Sequence, residues 1–377
     1  MNLCLFITLL LTLTVSGSII NYNNDDDDAQ MWLDIDLSIR NIGSRMNMND
    51  TETNNIFTDK ICFPDIGCFT RSGPMKHTTF LPQSPETIGT KFYVYHVSNP
   101  KLEHEIDPHH LQTSPTSMIS NGKRLAFIIH GFGNSYTTER LVSIKDSLLS
   151  NTDDIETVIM VDWKRGAAKP NYIEASVNTQ VVGRQITFMV NQMKNVLKLD
   201  PKNVYLIGFS LGAQVAGFAG KYSQTEYGWK YGRISGLDAA APLFEKYPGS
   251  FLTKDDAIFV DAIHTSAGHN LIHGEIGFIE PYAHVDFYPN GGHNQPMCHN
   301  LLKISCNHYA SVLFFDASVS AHNVCHFMAF GHCPNWSAFT EHKCTKSDGQ
   351  MGYLADHFHM NGVQYLSTTN SYPFCNI

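Results

Sequence analysis

The sequence has little charge and no surplus of basic residues. Charged residues make up 16% of the chain, and 26 Lys and Arg stand against 35 Asp and Glu, for a formal net charge of −9. Nucleic acids and anionic membrane surfaces select clustered basic residues. We therefore expect no nucleic-acid partner. With 43% hydrophobic residues, the chain can still bury a substantial core and is predicted to be globular.

Long apolar runs are missing after the first residues. No later stretch reaches the roughly 18 uninterrupted apolar residues that a membrane-spanning helix needs. Residues 3–15 form an apolar run, and Ser16, Gly17 and Ser18 follow it. This pattern predicts a secretory signal peptide over residues 1–18 and an extracellular protein. Because no Lys or Arg precedes the run, an uncleaved anchor is the alternative.

Residues 19–60 lack any sustained hydrophobic periodicity. They are rich in Asn, Asp, Thr and Ser and include four consecutive aspartates at residues 25–28. Such a segment is predicted to be a solvated acidic tail or a propeptide rather than a binding site. No internal repeat and no linker follows residue 90. The remainder, residues 61–377, is therefore predicted to form one domain.

Cysteine is plentiful by comparison. Of nine cysteines, Cys4 falls in the predicted signal peptide and eight remain. An even number of cysteines in a secreted chain indicates disulfides. Asn49 and Asn335 begin Asn-X-Ser/Thr sequons, so both are predicted glycosylation sites.

Short apolar runs alternate with longer amphipathic ones from residue 90 onward. This order is typical of an α/β fold with a largely parallel sheet. One long helix is predicted because Val and Met residues recur at helical spacing between residues 177 and 197, and all of them are expected in the core. The predicted strands are residues 92–97, 126–130, 157–162, 204–207, 234–237 and 259–263.

The strongest local signal is Gly-Phe-Ser-Leu-Gly at residues 208–212. A buried strand pattern precedes it, and a run rich in small residues, 213–220, follows as the start of a helix. A strand, a sharp turn and a helix form a nucleophile elbow, in which the flanking glycines permit a strained turn that exposes the serine hydroxyl. Ser210 is therefore the predicted nucleophile.

A serine hydroxyl becomes a nucleophile only when a base takes its proton, and that base needs a carboxylate to orient it. In elbow enzymes the acid and then the histidine follow the serine. Asp238 ends a predicted strand and is the leading acid, whereas Asp261 lies inside the next strand and is predicted to be structural. The residues alone leave the base open among His264, His284, His308, His322 and His357.

At this point the chain resembles the pancreatic lipase family over residues 62–375. The resemblance implies an α/β-hydrolase fold with a largely parallel central sheet flanked by helices, and a serine esterase that needs no cofactor. The segments that carry the resemblance are residues 62–69, 129–132, 161–163, 208–212, 236–242, 260–265, 284–292, 306–308 and 351–356.

By this resemblance, the nucleophile is Ser210, the acid Asp238 and the base His308. The backbone N–H groups of Phe132 and Leu211 would form the oxyanion hole, where donors face the charge that develops on the attacked carbonyl oxygen.

The resemblance also implies disulfide pairs. Cys62 would pair with Cys68, Cys298 with Cys306 and Cys333 with Cys344, which leaves Cys325 with Cys375.

Two departures from the family lie beside the predicted acid and base. Ala239 stands where family members usually have Pro, and Tyr309 stands where Arg is usual. Neither change removes a reacting atom, so activity is expected. In the segment that binds calcium in pancreatic members, Asp255 and Asp256 remain, but Pro248, Phe251 and Thr253 replace ligand-bearing residues. No metal site is therefore predicted.

Two loops give opposite indications about the substrate. The family's lid lies between Cys298 and Cys306 and here has only seven residues, 299–305. In this family short lids go with phospholipase A1 or galactolipid activity. Residues 266–282, in contrast, are about as long as in triglyceride lipases, and Leu271, Ile272, Ile276, Phe278 and Ile279 could rim the cleft with apolar surface.

The resulting prediction is a phospholipase A1 that releases the sn-1 fatty acid. A triacylglycerol lipase and a galactolipase are the alternatives, and a non-catalytic lipid-binding or storage relative is a third. The expected partner is a lipid ester at a membrane, micelle or lipoprotein surface. We expect a monomer, without the C-terminal β-sandwich that recruits colipase in pancreatic lipases, and therefore no colipase partner.

Overall fold

A central sheet organises the fold. The computed structural model describes residues 33, 35–39, 58–111, 118–119, 122–298, 305–331, 333–344, 347–358 and 360–375. These residues form an 11-stranded sheet beside a two-stranded hairpin. Six neighbouring strand pairs in the middle of this sheet run parallel. The four pairs at its two edges are antiparallel.

The strands are short and the helices lie between them along the chain. The strands are β1 Lys60–Phe63, β2 Gly67–Thr70, β3 Lys91–His96, β4 Asn99–Ile106, β5 Arg124–Ile129, β6 Ile155–Asp162, β7 Val204–Phe209, β8 Tyr231–Leu237, β9 Ala257–Ile263, β10 Val285–Pro289, β11 Met328–Phe330, β12 Ser347–Gln350 and β13 Gly362–Leu366. The α-helices are α1 Pro85–Ile88, α2 Glu139–Asn151, α3 Tyr172–Leu197, α4 Leu211–Tyr227, α5 Cys306–Ser320 and α6 Trp336–Thr340. The strands of the large sheet lie in the order β12-β11-β13-β10-β9-β8-β7-β5-β6-β3-β4, and β1 and β2 form the hairpin.

All six predicted strands are present, as β3 and β5 to β9. The central strand β7 is buried at every position, because helices cover both faces of a parallel sheet. The predicted long helix is α3. Its Val and Met residues face the core with one exception: Val196 is 39% exposed, so the prediction was wrong there. The exception lies in the last turn of α3, where Lys194 and Asn195 are exposed as well.

Two hydrophobic cores lie on opposite faces of the sheet. One joins the sheet to α3 and α4 and includes Val182 and Val215. The other joins it to α2 and α5 and includes Leu148 and Phe314. Burial of these apolar faces supplies the main stabilisation of such a layered fold.

The four expected disulfides are present: Cys62–Cys68, Cys298–Cys306, Cys325–Cys375 and Cys333–Cys344. Of the segment 19–60, a helical turn at residues 35–39 is described, and Ile35 is 1% exposed within the first core. The predicted signal peptide, Asn49 and lid residues 299–304 lie outside the described residues. In the part of the chain that is described, no helix is both long and apolar enough to cross a bilayer.

Candidate active site

Ser210 occupies a strained turn between β7 and α4. Its φ of 57° and ψ of −123° lie in a region that non-glycine residues rarely adopt. The turn is tight because α4 begins directly against the sheet: a Cβ added to Gly212 would lie 2.1 Å from the carbonyl oxygen of Ile129. Ser210 is therefore held at the carboxyl end of β7, as the elbow pattern predicted.

Asp238 immediately follows β8, the strand beside β7. Its side chain is fully buried, and a buried carboxylate requires hydrogen-bond donors. The backbone N–H of Thr265 donates to Oδ1 at 2.7 Å, and that of Ser266 donates to the same oxygen at 3.1 Å. The Ser266 hydroxyl donates to Oδ2. These donors, at the start of the loop after β9, fix the carboxylate in one orientation.

His308 lies in the first turn of α5 and contacts the same carboxylate. Its Nδ1 is 2.6 Å from Asp238 Oδ2, and the imidazole is 4% exposed. A carboxylate acceptor at Nδ1 fixes the tautomer that carries its proton there, which leaves Nε2 as a proton acceptor.

The three predicted catalytic residues meet at one edge of the sheet. The Ser210 backbone N–H donates to the carbonyl oxygen of Leu237 at 3.0 Å, directly before Asp238. The Phe209 ring lies 4.6 Å from the His308 ring, centroid to centroid. Ser210 and Asp238 thus share one site with His308, although they lie 98 and 70 positions before it in the chain. The carboxyl ends of adjacent parallel strands bring Ser210 and Asp238 to the same edge of the sheet.

The predicted oxyanion residues lie in the two segments that meet at Ser210. Leu211 is the first residue of α4, and the first N–H groups of a helix have no partner within the helix. Phe132 belongs to the loop after β5, and its ring packs edge-on against Tyr172 at 5.3 Å. Gly131 brings this loop against the serine, because a Cβ at Gly131 would lie 3.2 Å from Ser210 Oγ.

A buried network supports the loop after β5. His130 Nε2 accepts the N–H of Trp163 at 3.0 Å, and Trp163 Nε1 donates to the His130 carbonyl oxygen at 2.8 Å. Asp162 lies 3.4 Å from His130 Nε2. Burial raises the pKa of Asp162, but its interactions with the His130 side chain and with the backbone N–H groups of Tyr136 and Lys164 outweigh this effect, so the pKa is lowered overall. The sequence pattern 161–163 thus contributes to the site through its contacts with this loop.

The histidines that the sequence left open separate clearly in the structure. His264 Nε2 contacts Asp286 at 2.9 Å and its Nδ1 contacts the Phe278 carbonyl oxygen at 3.1 Å. His284 Nδ1 accepts the N–H of Val260 at 3.0 Å. His322 lies at the far end of α5 and contacts the Val319 carbonyl oxygen. None of the hydrogen bonds described for these three histidines is made with Asp238.

Asp261 has a structural environment, as its place inside β9 predicted. Its Oδ1 accepts hydrogen bonds from Arg233 Nε and Ser235 Oγ, both at 2.8 Å. Burial alone lowers the pKa of Arg233, but the carboxylates of Asp261 and Asp356 and the nearby Tyr205 raise it above its ordinary value. Arg233 is therefore a permanent buried cation that Asp261 compensates.

The sequence analysis missed several residues of the site. Thr265 and Ser266, which hold Asp238, carry no motif of their own. The sequence analysis also missed the hydrogen bond that Asn134 Nδ2 donates to the Tyr309 hydroxyl at 2.8 Å. This bond links the loop after β5 to the residue following His308, where family members have Arg.

The loop 266–282 presents less apolar surface than its sequence suggested. Leu271, Ile276 and Phe278 are buried and belong to the first core. Only Ile272 and Ile279 of the five predicted rim residues are exposed, by 45% and 37%. The prediction was wrong for the three buried residues, because the loop folds back over the sheet and its bulkier side chains fill the space beneath it.

The segment that corresponds to the calcium site holds an ion pair. Asp256 Oδ2 accepts the N–H of Thr253 at 2.8 Å, and Lys221 Nζ contacts the same oxygen. Among the described residues, no group of three or more His, Cys, Asp or Glu side chains could hold a metal ion.

Comparisons with known proteins place this chain among lipases. The Lipase family profile matches residues 59–374. Pancreatic lipase-related protein 2 of Cavia porcellus is 34% identical over 83% of this chain and 70% of its own length. Pancreatic triacylglycerol lipase of Mus musculus is 36% identical over 79% of this chain and 68% of its own. Inactive pancreatic lipase-related protein 1 of Canis lupus familiaris is 33% identical over 79% and 67%.

Proposed function

Because this chain belongs to the lipase family, we propose that it is a secreted carboxylic ester hydrolase with Ser210, His308 and Asp238 as its catalytic residues. The proposal rests on the 2.6 Å contact between His308 Nδ1 and Asp238, which lies at the same edge of the sheet as the Ser210 elbow. The four disulfides support secretion, since such bonds persist in oxidising compartments.

The first half-reaction transfers an acyl group to the serine. His308 Nε2 takes the proton from Ser210 Oγ while Oγ attacks the ester carbonyl carbon. The N–H groups of Phe132 and Leu211 stabilise the oxyanion that forms. His308 then gives its proton to the leaving alcohol oxygen, and the bond between that oxygen and the carbonyl carbon breaks.

Water completes the cycle. His308 Nε2 takes a proton from a water molecule, whose oxygen attacks the acyl carbon of the acyl-serine. The second oxyanion collapses, the fatty acid leaves, and Ser210 recovers its proton from His308. Asp238 stays ionised throughout and holds the imidazole in place.

We further propose that the substrate is a phospholipid cleaved at the sn-1 ester. Cys298 and Cys306 hold the ends of the seven-residue lid with their Cα atoms 5.8 Å apart, so the loop can extend at most roughly 13 Å from its base. A lid of this size covers little apolar area and has little to uncover when lipid arrives. The burial of Leu271, Ile276 and Phe278 removes much of the apolar rim that would favour neutral lipid.

A triacylglycerol lipase is the second candidate. The exposed Ile272 and Ile279 and the full length of the 266–282 loop favour it. The uncharged sugar head of a galactolipid would fit an open cleft as well, so galactolipase is included in the same test. In each case the enzyme would act on lipid at a membrane, micelle or lipoprotein surface.

A substrate panel tests the phospholipase proposal. Purified protein is assayed on phosphatidylcholine labelled at sn-1 or sn-2, on digalactosyl diacylglycerol, and on triolein emulsion. We expect release of the sn-1 fatty acid without a lag, at a rate equal to or above that on triolein. Strong activation by triolein droplets, with no fatty acid from phosphatidylcholine, would move the protein to the triacylglycerol lipases.

Labelling by a fluorophosphonate separates an enzyme from a non-catalytic relative. The probe phosphonylates an activated serine, so the native protein should be labelled and the Ser210→Ala variant should not. No label on the native protein, under conditions that label a control lipase, would contradict the enzymatic function altogether.

A further inference from the structure

A buried glutamine, Gln295, lies in the segment between β10 and α5. It is 3% exposed, and a buried amide needs partners for its oxygen and for both of its N–H groups. The family segments 284–292 and 306–308 flank Gln295 without including it, so no motif pointed to it. Its partners show what the amide does in this fold.

The Gln295 side chain contacts the residue that holds the acid. Its Nε2 donates to the carbonyl oxygens of Thr265 and Pro289, both at 3.1 Å. The N–H of the same Thr265 donates to Asp238 Oδ1 at 2.7 Å. A single residue, Thr265, therefore connects the Gln295 amide to the carboxylate of the candidate acid.

The Gln295 backbone contacts the turn that carries the base. Its N–H donates to Asn307 Oδ1 at 2.9 Å, and Asn307 directly precedes His308 in the first turn of α5. The Gln295 carbonyl oxygen accepts the N–H of Cys298, at the start of the lid, at 2.9 Å. One residue thus joins the loop after β9, the first turn of α5 and the base of the lid.

Backbone groups fix the orientation of the Gln295 amide. The N–H of Thr368 donates to Asn290 Oδ1 at 2.9 Å, so Asn290 presents its Nδ2 to Gln295 Oε1, at 2.8 Å. Oε1 is therefore the acceptor, and Nε2 faces two carbonyl oxygens that can only accept. The amide holds Thr265 with a donor that has no alternative orientation.

We propose that Gln295 is a positioning residue that keeps the acid and the base aligned for proton transfer. It acts through Thr265 on Asp238 and through Asn307 on His308. The contact between Nδ1 and Oδ2, 2.6 Å long, must persist while charge develops on the imidazole, and small misplacements in such a pair slow the reaction. This inference rests on the proposed function, since it takes His308 as the base and Asp238 as the acid.

Gln295→Met tests this role, because Met is close to Gln in size and lacks the amide. Per active site, kcat on p-nitrophenyl butyrate should fall about tenfold while KM changes less than about threefold, since the lost contact orients the acid and not the substrate. Gln180→Met is the matched control: Gln180 is buried in α3 and its Nε2 donates to the Val177 carbonyl oxygen of the same helix at 3.1 Å. The kcat of Gln180→Met should stay within about twofold of native. An unchanged kcat in folded Gln295→Met would overturn the proposal.

A double variant separates positioning from a general loss of structure. In Asp238→Ala no acid remains for Gln295 to orient, so adding Gln295→Met should lower the residual kcat by less than about twofold. An equal, tenfold loss with and without Asp238 would show that Gln295 acts on the fold as a whole, and would overturn the positioning role. Circular dichroism checks that each variant folds.

Gln295→Glu provides the same test if the Met variant does not fold. Glu has the shape of Gln and keeps an acceptor for Asn290, but its ionised carboxylate cannot donate to Thr265. We expect a loss of kcat of about tenfold at about pH 8, as for Gln295→Met. A native kcat in this variant would overturn the proposal as well.

The rate of fluorophosphonate labelling separates the failure of this inference from the failure of the proposed function. The native protein should be labelled, and Gln295→Met should be labelled about tenfold more slowly, because its serine is less well activated. Labelling of both proteins at the same rate would overturn the role of Gln295 and leave the hydrolase intact. A native protein that is not labelled would contradict the hydrolase, and the role of Gln295 with it.

Discussion

Two buried histidine–carboxylate pairs lie at the ends of neighbouring strands in this protein. One joins His308 to Asp238 with 2.6 Å between Nδ1 and Oδ2. The other joins His264, directly after β9, to Asp286 in β10, with 2.9 Å between Nε2 and Oδ1. Both histidines are at least nine-tenths buried, so burial and a carboxylate partner do not distinguish them.

The difference lies in the second ring nitrogen. His264 contacts the Phe278 carbonyl oxygen through Nδ1, and its ring stacks on Tyr288 at 4.3 Å. Both nitrogens are thus engaged within the fold. His308 contacts Asp238 through Nδ1, and its Nε2 is the nitrogen on which the proposed proton transfer depends. A buried His–Asp pair becomes a candidate general base only when one nitrogen faces a reacting group.

The structural pair also supports the candidate catalytic pair. His264 is followed by Thr265 and Ser266, whose N–H groups hold Asp238. The contact between His264 and Asp286 therefore helps to hold the two residues that orient Asp238.

The largest expected effect is the loss of catalysis at the Ser210–His308 pair. Ser210→Ala and His308→Ala should each lower kcat by roughly 10⁴-fold or more, because the residues act as a unit and the covalent step is lost. The double variant should be no slower than either single variant. Hydrolysis of p-nitrophenyl butyrate measures the rates, and circular dichroism checks that each variant folds.

Ser223→Ala is the matched control for the serine. Ser223 is a buried serine of α4 whose hydroxyl donates to the Gly220 carbonyl oxygen at 2.9 Å. Ser223→Ala therefore removes a serine Oγ, as Ser210→Ala does, but outside the site. Its kcat should stay near that of the native protein. Substantial turnover by folded Ser210→Ala would show that another residue is the nucleophile.

The next effect is on stability and concerns the other pair. His264→Ala should lower the free energy of unfolding by about 3–5 kcal/mol, because the buried carboxylate of Asp286 loses its side-chain partner and keeps only the backbone N–H groups of Tyr282 and Ala283. Activity of the folded fraction should fall by less than about tenfold, a barrier change of under roughly 1.4 kcal/mol. Urea unfolding and active-site titration measure the two quantities.

A double-mutant cycle sharpens this contrast. His264→Ala and Asp286→Ala should couple in unfolding free energy, since each change removes the other's partner. If folded His264→Ala were as inactive as Ser210→Ala, the assignment of His308 as base would be wrong.

A smaller effect is expected where the acid itself is displaced. A Cβ added to Gly277 would lie 2.4 Å from Asp238 Oδ1, so Gly277→Ala must displace the carboxylate that His308 contacts. We expect kcat to fall up to about 100-fold, as a displacement near 1 Å can cause, with a smaller change in KM. Steady-state kinetics on a soluble ester decides this, and an unchanged kcat would show that the orientation of Asp238 is unimportant.

The smallest effect concerns Tyr309, beside His308. Tyr309→Phe removes the acceptor for Asn134 and should cost about 1 kcal/mol of stability, with a modest loss of kcat as the loop after β5 loosens. Tyr95→Phe is the matched control, because Tyr95 donates to Glu103 at 2.7 Å on β3 and β4, away from the site. Equal activity losses in both variants would remove any special role for Tyr309.

Much of this fold could be predicted from local patterns. The six strands and the long helix follow from hydrophobic periodicity, and the elbow follows from two glycines that flank a serine. Asp238 could be placed because the carboxyl ends of parallel strands share an edge. The histidine could not, since five candidates followed the acid and spacing along the chain carries no information about which one α5 brings to it.

The loop 266–282 shows where the sequence misled the prediction. Its apolar residues predicted a rim, but three of the five are buried. An irregular segment has no fixed period, so its sequence does not reveal which side chains point inward. The prediction for Val196 was wrong for a related reason: helical spacing predicts the apolar face of a helix but not which of its turns the core covers.

The sequence by itself determined the strand, turn and helix around Ser210, the alternating strands and helices, and an acidic chain rich in cysteine. These follow from interactions between residues close along the chain or from composition. Only the tertiary structure separated the contacts of His308 from those of His264, attached Asp238 to Thr265 and Ser266, and joined Asn134 to Tyr309. Each of these joins residues far apart in sequence, and their proximity depends on the order in which the strands assemble.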